Sequence, residues 1–243
     1  MRLENRVCVI TGSGRGLGRQ LALSFAKEGA TVAITYHEQL AEAKDTARLC
    51  QSDLVYQLDV RDRLRIRDVF GEIAKRCGRI DILVNNAGIN RPADFDLQTD
   101  EEWEHVIAVD LKGVFLCSQE VLQFMPARGR IINIGSLSGE YGGPRSPAYA
   151  AAKAGVMALT HCLARFVGDR EICVNCLSPG VIDSALTSHT MSPEVRATVE
   201  AQLLLKRLGQ PEDLVGPALL LASEESAYMT GQTISVNGGA WVR

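Results

Sequence analysis

The stretch "VCVITGSGRGLGRQLALSFAKEGA", residues 7–30, decides the fold of this 243-residue chain. It reads as a short apolar strand, a turn with glycines at 12, 14, 16 and 18, and an amphipathic helix, and a second strand begins at Thr31. Gly12 suits the tight bend, Gly16 lets the backbone come close to a pyrophosphate, and Gly18 lets the helix pack on the sheet. The helix N-terminus then turns its unpaired N–H groups and the positive end of its dipole toward the phosphates. The pattern points to a dinucleotide site rather than a merely structural turn.

The rest of the chain continues this alternation. "TVAIT", "LVYQLDV", "DILVNN", "GRIINIGS", "EICVNCLSP" and "TISVNG" read as further strands, with helices expected over 16–28, 38–50, 61–77, 100–124 and 147–168. Strict alternation implies βαβ units with right-handed crossovers. The expected fold class is therefore α/β: a doubly wound Rossmann-type parallel sheet of about seven strands, with helices on both faces. The strands are nearly continuous in apolar residues, as strands covered on both faces should be. With 243 residues and 46% hydrophobic residues, one large domain over 1–243 is expected. The stretch 183–210 has helical pieces but no strand and is a natural substrate lid.

Bulk properties exclude other classes. A net charge of −3 with interspersed signs argues against a nucleic-acid surface. No apolar run approaches a membrane span and the N-terminus lacks the apolar core of a signal peptide, so a soluble, cytoplasmic protein is expected. Seven cysteines scattered through apolar segments suit reduced thiols. Cys173 and Cys176 form a CxxC, but residues three apart on a strand point to opposite faces and no second CxxC exists, so no metal site is expected. The four histidines also lack ligand spacing.

The end of the second strand bears on which dinucleotide is held. An acidic residue there accepts from adenosine ribose hydroxyls in NAD sites, whereas a 2′-phosphate calls for a cation. Here Tyr36 stands where the acid would be, followed by His37, and Arg15 in the glycine turn can reach the same region. NADP(H) is favoured. NAD(H) stays open because Glu38 is close and a shift of two residues would reverse the argument.

"SPAYAAAK", residues 146–153, puts Tyr149 and Lys153 on one face of a helix, and Ser136 lies just past the strand in "GRIINIGSLSG". A free phenol is a sluggish proton donor at neutral pH, and a neighbouring ammonium favours its phenolate. The pair can thus act as general acid in carbonyl reduction or as base in alcohol oxidation, with Ser136 holding the substrate oxygen. On spacing alone, Tyr149 as an ordinary helix-surface aromatic is an equal alternative.

These motifs together resemble the classical short-chain dehydrogenase/reductase family. The family's TGxxxGxG appears as Thr11-Gly12-Ser13-Gly14-Arg15-Gly16-Leu17-Gly18 and its NNAG as Asn85 to Gly88. Its Ser…Tyr-xxx-Lys appears as Ser136, Tyr149 and Lys153, followed by "SPG" at 178–180 and "TGQTISVNGG" at 230–239. The resemblance implies that Ser13, Arg15 and Leu17 join the glycines at the cofactor and that Asp59 and Val60 contact the adenine. It further implies that Asn86, Ala87 and Gly88 line the adenosine ribose side and brace the sheet. Lys153 would both favour the phenolate and bind the nicotinamide ribose, while Pro179, Gly180, Ile182 and Ser184 would border the nicotinamide. Asp110, in "AVDLKGVF", stands where the family has a catalytic asparagine. The resemblance implies that the asparagine acts largely through its main chain, holding a water in a proton relay to the lysine, so aspartate is expected to preserve the relay while its charge alters the lysine's environment.

The implied activity is hydride transfer between NADP(H) and a carbonyl or secondary alcohol. The segments "NNAGINRPADF", "EEWEHVIAVDLKGVFLCSQ" and "LLKRLGQPEDLVGPALLLASEESAYMTGQ" most resemble 3-oxoacyl-(acyl-carrier-protein) reductases, and reductases of sugars, ketones and steroids look alike there. An acidic carrier protein calls for a basic patch by the cleft, for which Arg128, Arg130 and Arg170 are candidates beside an ordinary role as surface charges. A cofactor-binding subunit without turnover is the alternative of another class, against which the intact Ser136, Tyr149 and Lys153 weigh. The resemblance also implies a homotetramer, with helices 104–124 and 147–167 and the C-terminal "VNGGAWVR" as candidate interfaces.

Overall fold

A computed structural model describes residues 1–183 and 191–242. Its centre is β1 (Val7–Ile10), all four residues of which are buried. β2 (Thr31–Tyr36), β3 (Val55–Gln57), β4 (Ile82–Asn85), β5 (Arg130–Ile134), β6 (Cys173–Pro179) and β7 (Thr233–Val236) complete one sheet in the order β3-β2-β1-β4-β5-β6-β7. Every neighbouring pair is parallel. From β1 the chain builds outward to β3, then returns to β1's other side with β4. That reversal opens a crevice at the carboxyl ends of β1 and β4, where open α/β sheets bind ligands.

Successive strand residues face opposite sides and so feed two cores. Val9, Leu83, Ile131 and Val174 pack with Phe70 of α3 (Arg63–Cys77), Val121 of α5 (Gly113–Val121) and Val167 of α7 (Pro147–Val167). Cys8, Ile10, Ile82 and Ile132 pack on the other face against Leu21 and Phe25 of α1 (Gly16–Lys27), and against Ala43 of α2 (Leu40–Leu49). Phe25 and Phe70 are wholly buried, each stabilising the fold by roughly 1.5–3 kcal/mol through burial. Local signals set the helix ends. Asp62 caps α3 by accepting from Arg65 N, and Gly78 closes it at φ 86°. Thr99 and Glu102 form a capping box at the start of α4 (Asp100–Ile107).

The structure departs from the sequence reading in three places. The helix expected over 100–124 is α4 and α5 joined by a π-helical turn, Ala108–Lys112, which carries the buried Asp110. Such turns widen a helix locally and often mark functional sites. The strand expected from "LVYQLDV" shortens to the three residues of β3 at the sheet edge. Short helices at α6 (Ser138–Tyr141) and α9 (Val215–Ala222) carry no clear amphipathic period, since four residues are too few and the run "VGPALLLA" is apolar on nearly all sides. α8 (Pro193–Gln202) falls in the segment expected to form a lid, and Ser184 lies outside the described residues.

All seven cysteines are free. In β6 the Cys176 thiol is buried and pushed up to about 11 by that burial, while Cys173 Sγ lies 3.6 Å from Ala227 O. No helix among the described residues is long and apolar enough to cross a membrane.

Candidate active site

A cleft of about 810 Å³ runs from the glycine turn to Tyr149 and Lys153. The turn is held from three sides. Gly12 N donates to Thr35 Oγ1 of β2 at 3.0 Å, and Thr46 Oγ1 of α2 donates to Gly14 O at 2.9 Å. Asn86 Nδ2 donates to Thr11 O and Gly12 O at 2.9 and 3.1 Å, while the N–H groups of Asn86 and Ala87 both donate to Thr11 Oγ1 at 2.9 Å. Residues 86 and 87 thus brace the turn as well as lining the cleft.

The turn fits a dinucleotide. Arg15 caps α1 with extended backbone and no side-chain hydrogen bond, and the first turn of α1 holds no acidic residue, so its N–H groups meet no competing carboxylate. Gly16 has φ 56°, and a Cβ there would project into open space. At Gly18 a Cβ would stand 2.5 Å from both Gly12 O and Asn86 Nδ2, so only glycine permits this approach of α1 to the sheet. Leu17 also lines the cleft. Ser13 does not: its buried hydroxyl donates to Ile10 O and accepts from Thr35 N, so its role is to tie β1 to β2.

At the end of the cleft beside β2 and β3 stand Arg15, Tyr36, His37, Asp59 and Val60. Tyr36 is the last residue of β2. Asp59 is held below the usual carboxylate range by the Arg61 guanidinium, whose Nη2 lies 2.6 Å from Asp59 Oδ2, and His37 Nε2 stands 3.5 Å from the same oxygen. Sequence reasoning passed over Arg61 and Glu42, both on this wall. Glu42 Oε2 is buried and has no hydrogen-bond donor, although nothing in the spacing of α2 singles that residue out.

At the other end, Tyr149 is partly buried, its ring packed in a small cluster with Val106, Ala148 and Ala152. Lys153 Nζ lies 5.4 Å from the centre of that ring and donates to Ile134 O at 3.1 Å. A Cβ on Gly139 of α6 would stand 2.6 Å from Ala154 N, so α6 sits directly against α7 at the lysine. Asp110, wholly buried, accepts from Ile89 N at 2.9 Å, and its Oδ2 lies 3.2 Å from Lys153 Nζ without hydrogen-bond alignment. Gly88 closes over both groups, since its Cβ would come within 2.8 Å of Asp110 Oδ2 and 3.5 Å of Lys153 Nζ.

Pro179 and Ile182 line the cleft beside Tyr149. Gly180 and Ser136 are not among the residues that line it. Gly180 packs on Asn237, where a Cβ would meet Asn237 Cα at 2.6 Å, and Ser136 Oγ accepts from Ser138 N at 3.1 Å in the loop between β5 and α6. The sequence thus brings Gly12, Gly16, Tyr149, Lys153 and Asp110 to one cleft, whose lining does not include Ser136.

The three arginines considered for a carrier-protein patch lie at the opposite, amino edge of the strands. Arg130, the first residue of β5, is buried and donates to Ser223 O at 3.2 Å. Arg128 pairs with Glu224 at 3.3 Å, and Arg170 donates to Leu122 O and Met125 O after α5.

A family model described as "Enoyl-(Acyl carrier protein) reductase" matches residues 12–240. The 3-oxoacyl-(acyl-carrier-protein) reductase of Thermotoga maritima is 41% identical over 244 residues, covering 98% of this chain and 99% of that protein. The Vibrio harveyi protein of the same name is 37% identical and covers 100% of both chains. A solved short-chain dehydrogenase/reductase from Serratia marcescens superposes with a TM-score of 0.93 at 29% identity, over 99% of each chain. Similarity of this extent, running from the glycine turn to past the last strand, makes the chain a member of the short-chain dehydrogenase/reductase family, an NAD(P)-dependent oxidoreductase of carbonyl and alcohol groups.

Proposed function

We propose that this enzyme reduces a 3-oxoacyl thioester, carried on acyl-carrier protein, to the 3-hydroxyacyl thioester with NADPH. The observation that carries the reading is that Tyr149, paired with Lys153, closes one end of the cleft whose other end is the glycine turn. When bound, the nicotinamide supplies the hydride. Tyr149 delivers the proton to the carbonyl oxygen, Ser136 in the loop after β5 steadies that oxygen, and the Lys153 ammonium favours the phenolate left behind. Similarity over the whole chain to two 3-oxoacyl-(acyl-carrier-protein) reductases supports the substrate. The enzyme is further read as a cytoplasmic homotetramer, its assembly supported by the exposed Phe115 and Phe166 on the helices expected at its interfaces.

A panel of 3-oxoacyl thioesters, enoyl thioesters, small ketones, sugars and steroids tests the substrate. The 3-oxoacyl thioesters are expected to give the highest kcat/KM. Enoyl thioesters belong in the panel because of the description attached to the family model. A tenfold preference for any other class overturns the assignment.

NADPH is favoured because Arg15 lines the cleft and Tyr36 ends β2 where an acid would repel a 2′-phosphate, with the exposed Glu38, also on the cleft wall, weighing the other way. The buried, unpartnered Glu42 Oε2 favours the second reading, NADH, since a carboxylate there suits a ribose hydroxyl. Arg15→Ala should lower kcat/KM for NADPH by roughly 10–100-fold, the value of a charge-assisted hydrogen bond, and change that for NADH less than about twofold. A wild-type preference for NADH at equal concentration would decide for the second reading.

A further inference from the structure

We propose that Asp110 is a positioning residue: its carboxylate is the counter-ion that keeps the buried Lys153 protonated and holds it between Tyr149 and β5. The argument starts from what a buried ammonium requires. Lys153 is 3% exposed, and an unpaired lysine at such a site loses its proton readily, its affinity falling by up to several powers of ten. An ammonium that is to act on Tyr149 across the working pH range therefore needs a compensating negative charge.

The groups around Lys153 narrow the source to one. From β5 comes only the carbonyl of Ile134, at 3.1 Å. From β6 comes Cys176, whose thiol burial pushes up to about 11, so it is neutral. From α7 comes the ring of Tyr149 at 5.4 Å, and from the loop after β4 comes Gly88, which has no side chain. The π-helical turn contributes Asp110, with Oδ2 at 3.2 Å from Nζ. Burial raises the Asp110 carboxyl above its ordinary value, opposed first by the Lys153 ammonium and least by His105 of α4, whose Nδ1 lies 3.3 Å from Arg61 Nη1. Burial lowers the Lys153 proton affinity, and the Asp110 carboxylate followed by Tyr149 reverses this, leaving Lys153 above the ordinary lysine range.

The geometry also fixes position. Asp110 Oδ1 is tied to Ile89 N at 2.9 Å, so the carboxylate has one oxygen for the cofactor-lining loop and one for the lysine. Residue 110 sits in the π-helical turn, where the helix takes up one extra residue, and its side chain is buried there. Breaking such a pair leaves a buried charge without compensation, a costly state that Lys153 escapes by releasing its proton.

The chain contains six lysines, so labelling with ε-13C lysine makes a direct titration feasible, with Lys153→Arg assigning the resonance. In the wild type, Lys153 should titrate at or above the ordinary lysine range. Asp110→Asn keeps the acceptor for Ile89 N and removes only the charge. It should lower the Lys153 titration by at least about one pH unit, a tenfold loss of proton affinity. A wild-type Lys153 that titrates below the exposed lysines overturns the proposal even if the variant does not fold, and so does an unchanged titration in Asp110→Asn.

The assignment rests on the reading of Tyr149 and Lys153 as the proton-handling pair only for its kinetic consequence. The ratio of variant to wild-type kcat/KM should fall as pH rises through the lowered Lys153 titration, which a merely structural role of Asp110 would not produce. A lowered titration with a pH-independent ratio would uphold the counter-ion and overturn the acid–base reading of the pair.

Discussion

Replacing Tyr149 by phenylalanine should lower kcat by about 10²–10⁴-fold, the usual contribution of a positioned general acid, while cofactor affinity changes by less than about threefold. The substitution is clean because the ring is held by apolar neighbours, Val106, Ala148 and Ala152, and phenylalanine keeps those contacts. Only the hydroxyl is lost, and with it the proton that the carbonyl oxygen needs. Steady-state kinetics with a 3-oxoacyl thioester, together with NADPH titration by fluorescence, separates the two effects. Turnover within threefold of wild type would remove Tyr149 from the mechanism and revive a fold used for binding alone.

Gly18→Ala should weaken NADPH binding by about 100-fold or more and lower thermal stability. The added methyl would stand 2.5 Å from Gly12 O and Asn86 Nδ2. Neither is the loose end of a flexible side chain: Gly12 O is backbone, and the Asn86 amide is committed to Thr11 O and Gly12 O. The turn or α1 must therefore shift, and overpacking of this kind costs about 1–3 kcal/mol. At roughly 2–4 °C per kcal/mol for a chain of this size, the melting temperature should fall by about 2–12 °C. The larger loss falls on the cofactor, because the displaced atoms belong to the turn that faces the phosphates. Gly78→Ala serves as a comparison, since a Cβ at Gly78 meets nothing within 4 Å, and its effect is confined to the strain of φ 86° far from the cleft. Equal cofactor affinity in the two variants would show that the close approach at Gly18 is not needed for binding.

Much of this was open to the sequence because βαβ order is written in local pattern. The strand, turn and helix of residues 7–30 need only near neighbours to declare themselves, and the apolar strands announce a sheet covered on both faces. The helix 100–124 shows the limit of that reading. Its apolar spacing is the same whether the chain runs as one helix or passes through a π turn, since the extra residue is absorbed without altering composition. The arginines at 128, 130 and 170 show a second limit. Sequence counts three charges near one another, whereas the fold places them at the amino edge of the strands and satisfies them with carbonyls and Glu224.

By itself, then, the sequence determined the α/β class, the cofactor turn and the pairing of Tyr149 with Lys153, because each depends on residues within a single turn or a single helix. Tertiary structure alone decided that Ser13 ties β1 to β2 instead of facing the cleft, and that Arg61 and Glu42 line the same cleft as Arg15 and Tyr36. It also decided that Asp110 faces Lys153 at 3.2 Å. Asp110 and Lys153 lie on separate helical segments, and the charge state of a buried lysine depends on what surrounds it in space. A residue's burial and its partner across the core are properties of packing, which no spacing along the chain encodes.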